Sequence, residues 1–311
     1  MERLETDFAD IQELIQFTFT EFAKTGILDM TENQILGVLY LVKTDLPDDD
    51  PLKQKLAYYW HVSGPSSDVV CSALDQMISK TILQTQGLYR LSDTCKQSTH
   101  NGSMSNALNL VAKHVSAFTN PDDMIRNVYK HSPFLFYTAY KLNFKKKFED
   151  YCSHILGNDK YTCSLDEVLV LFRTATLALR AEDGFSDFEM IYNKYSRALY
   201  ILLETDPSFD EHIEKDFDLA RELCNEIWIT FAHQVRIHAH DPYYERLIND
   251  WRAQSDSKTS NLKDMVDKFS DSVSRLPMPE KRLYRETEET INDIDQGKTK
   301  SDSYPATNIS K

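Results

Sequence analysis

Apolar residues recur at steps of three and four along most of the chain, a spacing that predicts helices. Phe8, Ile11, Leu14, Ile15, Phe17, Phe19 and Phe22 outline a first helix with one apolar face, and Gly26 ends it. In LDMTENQILGVLYLV, Thr31 is placed to cap a second helix whose stripe is Ile35, Val38, Leu39 and Val42. The acidic loop KTDLPDDDP closes on Asp50-Pro51, a cap and first-turn pair. The aromatic end of LKQKLAYYWHV fits a helix or an extended segment equally well. Ser63-Gly64-Pro65 then breaks the chain, and Ser66 or Ser67 caps a helix with Asp68 in its first turn. Val69, Val70, Ala73, Leu74, Met77 and Ile78 form its inner face. TILQTQGLYRLSD reads as two short strands, 81–84 and 88–91, turning at Gln86-Gly87.

Helix, helix, segment, helix, hairpin is the order of a winged helix-turn-helix. Gly64, Pro65 and Ser66 are its expected turn, and Gln86, Gly87, Tyr89 and Arg90 belong to its wing. The same positions carry a likeness. Leu39-Tyr40-Leu41, Gly64-Pro65-Ser66 and Tyr89-Arg90-Leu91-Ser92 make residues 30–95 resemble the winged-helix core of the Panacea antitoxin-type domains of phage- and defence-associated proteins. That resemblance implies an antitoxin-like or defence-associated role. To the family pattern this chain adds the PDDDP loop and a large C-terminal region.

KQSTHNGSMSN, residues 96–106, is polar and is the expected linker between a 1–95 winged-helix domain and an all-helical domain at 107–252. Helices are expected at 107–118, 122–130, 134–155, 164–181, 187–203 and 210–240. The third carries Tyr137, Tyr140, Phe144, Phe148 and Tyr151 inward, and the fourth starts with Ser164 and Glu167 at capping-box spacing. Residues 253–311 read as a polar tail with one amphipathic helix at 262–276. Its stripe of Leu262, Met265, Val266, Phe269, Val273 and Leu276 either docks on the body or binds a partner. The expected fold class is therefore mainly α: a winged helix-turn-helix with one small hairpin, an all-helical domain, then a polar tail.

Scarce glycine (8 in 311) and modest proline (10) agree with helices joined by short connections. Charge alters the functional expectation more than the fold. The chain carries 49 acidic and 35 basic side chains, a net of −14, and its average field repels nucleic acid. Residues 1–95 hold 15 acidic and 7 basic side chains. The would-be reading helix sets Asp68 and Asp75 against Lys80, and the wing adds Arg90. A specific DNA binder makes roughly six to ten phosphate contacts, so nucleic acid is disfavoured as a partner. The dense basic run is Lys141, Lys145, Lys146 and Lys147, interleaved with aromatics. It is either a solvated face or a patch for an acidic partner or nucleic acid.

No GxGxxG, GxxxxGK[ST], HExxH or GxSxG motif occurs. On a helix His233 and His240 share a face about 10 Å apart and His238 points away. HAHD could hold a metal only where the helix has ended, and Asp241-Pro242 invites that break. Cys71, Cys95, Cys152, Cys163 and Cys224 include no CxxC pair, as expected of reduced thiols in the cytoplasm. Cys152 and His154 would point about 200° apart on a helix, which opposes a Cys–His dyad. MERLETDFAD lacks the apolar core of a signal peptide, and no window reaches the roughly 18 apolar residues of a membrane span. These readings point to a cytoplasmic, non-enzymatic protein without cofactor or metal, acting through an unidentified protein partner and able to dimerise through 8–22. The alternatives are a dimeric DNA-binding regulator with a helical sensor domain, and a metal-dependent hydrolase around 233–241.

Overall fold

The computed structural model describes residues 8–78, 80–92, 104–118, 120–157, 164–206 and 212–277. Its first part runs α1 (Ala9–Lys24), β1 (Met30–Thr31), α2 (Glu32–Asp45), α3 (Pro51–Lys55), β2 (Tyr59–His61), β3 (Gly64–Ser66) and α4 (Asp68–Met77). The hairpin β4 (Ile82–Thr85) and β5 (Leu88–Leu91) follows, then α5 (Ser105–Ser116) and α6 (Pro121–Lys130). A π-helical stretch, Tyr137–Lys145, runs into α7 (Lys146–Ile155), and α8 (Leu165–Arg180) and α9 (Ser186–Glu204) come next. α10 (Ile213–His238), a 3-10 segment (Pro242–Leu247) and α11 (Ile248–Val273) complete a mainly helical structure with small antiparallel sheets.

Local chemistry sets several of these boundaries. Thr31 and Gln34 form a reciprocal capping box at the start of α2, at 3.3 and 2.8 Å. Asp50 accepts from the Leu52 amide at 2.8 Å, with Pro51 in the first turn of α3. Ser67, rather than Ser66, caps α4 by accepting from Val70 N. Ser164 stands at the N-cap of α8, while Glu167 reaches Lys147 at 3.0 Å. β4 and β5 turn through Gln86 (φ 52) and Gly87 (φ 78), the two left-handed residues of a tight hairpin. β5 also pairs with β1, giving the order β1-β5-β4 with Met30 opposite Tyr89.

Gly64, Pro65 and Ser66 are not a turn. They form β3, paired antiparallel with β2 so that Trp60 faces Pro65, and the reversal falls at Val62-Ser63. The cause is the alternation in Tyr59-Trp60-His61, where buried Trp60 stands between two half-buried neighbours. Gly64 takes φ 102, a conformation side chains disfavour, with the Tyr129 ring 3.7 Å from where a Cβ would lie.

Two cores result. The first joins Ile11, Leu14, Ile15, Phe19 and Phe22 of α1 to α2, α4, Ile82, Tyr89 and α5, and is completed from afar by Tyr244 and Trp251. α1 thus turns the face expected to dimerise into its own core. The second gathers the aromatic residues of the π-helical stretch and α7 with α8, α9, α10 and the end of α11, and it takes in Trp60. The cores therefore do not divide at the expected linker, which lies mostly outside the described residues: α5, Tyr244 and Trp251 pack with the first.

Two helices differ from expectation. Over Tyr137–Lys145 the wider π turn, not the α-helical one, keeps Tyr137, Tyr140 and Phe144 inward, with Phe136 stacked on Tyr140 at 4.8 Å. α11 runs unbroken through the polar RAQSDSKTS, most of which is its solvent side, with Ser255 turned inward between buried Trp251 and Leu262. The remainder of the polar tail, 278–311, lies outside the described residues. Among the described residues no helix is long and apolar enough to cross a membrane.

Candidate functional site

α4 buries Val69, Val70, Ala73, Leu74 and Met77 and exposes Asp68, Ser72, Asp75 and Gln76. Its outward charge is therefore negative. In the hairpin, the alternation turns Tyr89 inward, where its hydroxyl receives Gln84 Nε2 at 3.0 Å and donates to Glu32 at 3.3 Å. Leu83 and Leu88 are exposed on the other face, beside Arg90. Arg90 is gripped by Asp29, Nε to Oδ1 at 2.7 Å and Nη2 to Oδ2. Hydrogen bonding from Arg90 holds the Asp29 carboxyl below its usual range. Lys80 is exposed at the end of this face, and Gln86 and Gly87 form its tip.

The four lysines do not gather into one patch. Lys141 lies over the Trp228 ring at 5.2 Å, and burial pushes its ammonium pKa down. Lys145 pairs with Glu149 one turn on, and Lys147 pairs with Glu167. Lys146 is the fully exposed member. Packing of the intervening aromatics sends the ammonium groups to different neighbours, and carboxylates answer two of them.

Leu262, Val266, Phe269, Val273 and Leu276 are buried in the second core, with half-buried Met265 packed against it. α11 packs along α9 and α10, so this stripe is docked on the body rather than offered to a partner. Arg275 beyond it pairs with the buried carboxylate of Asp216, which also accepts from Ser272 at 2.6 Å.

The densest polar geometry lies where the β2–β3 hairpin meets the end of α10. Trp60 N donates to Ala239 O at 2.9 Å and Asp241 N to Tyr58 O at 2.8 Å. The Asp241 carboxylate accepts from Lys43 and from the Tyr58 amide. Burial lowers the Lys43 pKa and the Asp241 charge opposes that shift. Tyr40, Lys43, Tyr58, Trp60, His240 and Asp241 line a cleft of about 230 Å³ here. On the other face of β2, the His61 and His233 rings meet at 5.0 Å. Arg236 donates to His233 Nδ1 at 2.9 Å and to Gln254 at 2.6 Å, and lies over Trp251. Burial, then the Arg236 charge, pushes His61 and His233 down to about 4, so both rings are neutral at pH 7.

The expected histidine trio is dispersed. α10 ends at His238, whose ring lies against Phe185 at 5.1 Å, whereas His240 faces Glu245 at 3.5 Å and His233 sits beside His61. Among the described residues no three His, Cys, Asp or Glu side chains are grouped to hold a metal. Cys152 is buried and His154 exposed, and burial raises the Cys152 thiol. Burial pushes Cys71 and Cys224 up to about 12, which keeps them as thiols. Cys95 and Cys163 lie outside the described residues.

The seam around Asp241, His61 and Arg236 has little signature in sequence, since Lys43 and Tyr58 meet Asp241, and His61 meets His233, across more than 150 residues of chain. The break at Asp241-Pro242 was its one signal, since the aromatic segment 58–62 fitted helix or strand. No protein-family model, curated protein or solved structure matches the chain.

Proposed function

We propose that the chain is a non-enzymatic, cytoplasmic interaction protein whose N-terminal part is an acidic winged-helix unit. The order α1, β1, α2, α3, α4, β4, β5, interrupted by the β2–β3 hairpin between α3 and α4, with β1 pairing β5, supports the winged-helix reading. One observation carries the preference for protein over DNA. The outward face of α4 bears Asp68 and Asp75, and the wing arginine is clamped by Asp29. Phosphate contacts need free cations on that helix and wing, and this surface presents carboxylates and exposed leucines. The likeness of residues 30–95 to Panacea domains adds an antitoxin-like role as the first pathway to test.

Titration of a labelled duplex at low ionic strength is the deciding experiment. Absence of salt-sensitive binding is expected. Tight binding that collapses with salt, and that is lost when Arg90 and Lys80 are neutralised, would establish the dimeric DNA-binding regulator instead. Metal analysis tests the hydrolase reading: a stoichiometric ion lost on changing His238 and His240 would restore it. Copurification from the native host would then identify the protein partner.

A further inference from the structure

α8 has two apolar faces. Its inner face, with Val168, Leu169, Phe172, Ala175, Ala178 and Leu179, packs into the second core. A second line, Val170, Thr174, Leu177 and Ala181, steps by four, three and four, and all four residues are exposed. That spacing places them on one side of the helix over about three turns. Val170 is 60% and Leu177 39% exposed. The other residues from 168 to 181 are buried or half-buried, and the half-buried Arg173 and Arg180 flank the line without breaking it. Exposed Leu135 lies beside its C-terminal end, where the Leu135 amide donates to Glu182 at 2.6 Å. Exposed Met190 on α9 follows Glu189, which faces Arg180. An apolar helix face is normally covered by another element. In a chain of net charge −14 such a face marks a contact surface.

Acidic residues gather at its ends. Exposed Asp166 stands at the N-terminal end of the line, beside Glu167 paired with Lys147, and exposed Asp183 at the other, beside Glu182, which accepts from the Leu135 amide. The four-three-four spacing reads the same in both directions, so an antiparallel second copy could bring Thr174 against Leu177. It would also bring Asp166 towards Asp183, acid against acid. A partner with basic ends meets no such opposition.

We propose that this face of α8 docks an amphipathic helix of a partner protein, with an apolar stripe of about three turns bracketed at both ends by Lys or Arg. The proposal rests on the reading of the chain as an interaction protein and names the surface and the chemistry of its partner.

Fluorescence anisotropy tests it with the full chain and two labelled synthetic helices. Both carry leucines at the matching steps, and one ends in lysines while its twin ends in glutamates. The lysine-ended helix should bind at least ~10-fold more tightly than its twin, and salt should narrow the gap. The V170E/L177E double variant changes exposed positions, so its circular dichroism and melting should match the parent while its peptide affinity falls ~10-fold or more. Equal binding of the two helices, no binding, or undiminished binding by the variant would overturn the docking site. So would a dimer, seen by sedimentation equilibrium, that the variant dissolves. The two readings fail separately: salt-sensitive duplex binding removes the broader one, whereas a chain that takes neither duplex nor peptide loses only this site.

Discussion

Asp29 holds both Nε and Nη2 of Arg90, so the wing's arginine is neutralised from the segment just before β1. Asp29→Ala should free that guanidinium without restoring a phosphate-binding face, because Asp68 and Asp75 remain. Duplex titration of the variant should stay flat at low salt. Its melting midpoint should move by no more than about 2 °C, since both partners are substantially exposed. A strong gain in duplex binding would show that one carboxylate had masked a functional wing.

Asp241 is the acceptor on which Lys43 and the Tyr58 amide converge. Asp241→Ala leaves a half-buried ammonium and a backbone donor without it. A cost of about 1–3 kcal/mol in urea unfolding is expected. Lys43→Met, which keeps the aliphatic stem and leaves the Tyr58 bond in place, should cost less. Equal costs would mean that the ion pair, not the amide, dominates.

Acid should weaken the seam before it weakens the carboxylates. His61 and His233 titrate at about 4 in the folded chain, below the ordinary histidine value near 6.5. The unfolded chain therefore binds more protons as pH falls from about 6.5 towards 4, and stability drops across that window. His114 and His238 are also shifted down by burial and act in the same sense. Asp29, Asp45, Asp48 and Asp267, lowered by hydrogen bonds from Arg90, Lys113, Lys53 and Lys194, lose stabilisation only at lower pH. Denaturation midpoints at pH 7, 6 and 5 read the histidine part. A His61→Gln, His233→Gln double variant should flatten the profile over that range.

Substitutions at two left-handed positions should act in opposite directions. Gln86 adopts φ 52 in the hairpin turn, where asparagine is better suited, so Gln86→Asn should add a few tenths of a kcal/mol. Gly64→Ala forces a side chain into φ 102 and should cost roughly 1–3 kcal/mol. Thermal melting of both variants checks the pair, and a stabilising Gly64→Ala would contradict the strand geometry described for β3.

Local chemistry was legible wherever cause and effect lie within a few residues. Thr31 with Gln34, Asp50 with Pro51, and Gln86 with Gly87 each fix their element through a cap or a turn, and the apolar steps of three and four locate most helices. Elements that depend on distant partners left weaker signs. β1 has only two residues and exists because β5, almost sixty positions later, pairs with it. β3 read as a breaker because glycine and proline are poor strand formers, yet pairing with β2 holds them extended. The middle of α11 read as polar tail because its residues are polar, although most of them are the wet side of a helix held at both ends. The lysine run left a solvated face and a patch open, because sequence does not show that Glu149 and Glu167 answer Lys145 and Lys147. Of the seam, only the break at Asp241-Pro242 was visible; the aromatic segment 58–62 fitted helix or strand, and that His61 meets His233 depends on the tertiary packing.

α11 starts against the first core with Trp251 and finishes in the second with Val273. Its 26 residues make a rod of about 39 Å at 1.5 Å per residue. One helix is thus shared between the cores, so Trp251 and Ser255 near its start and Phe269 and Val273 near its end are anchors of the same element.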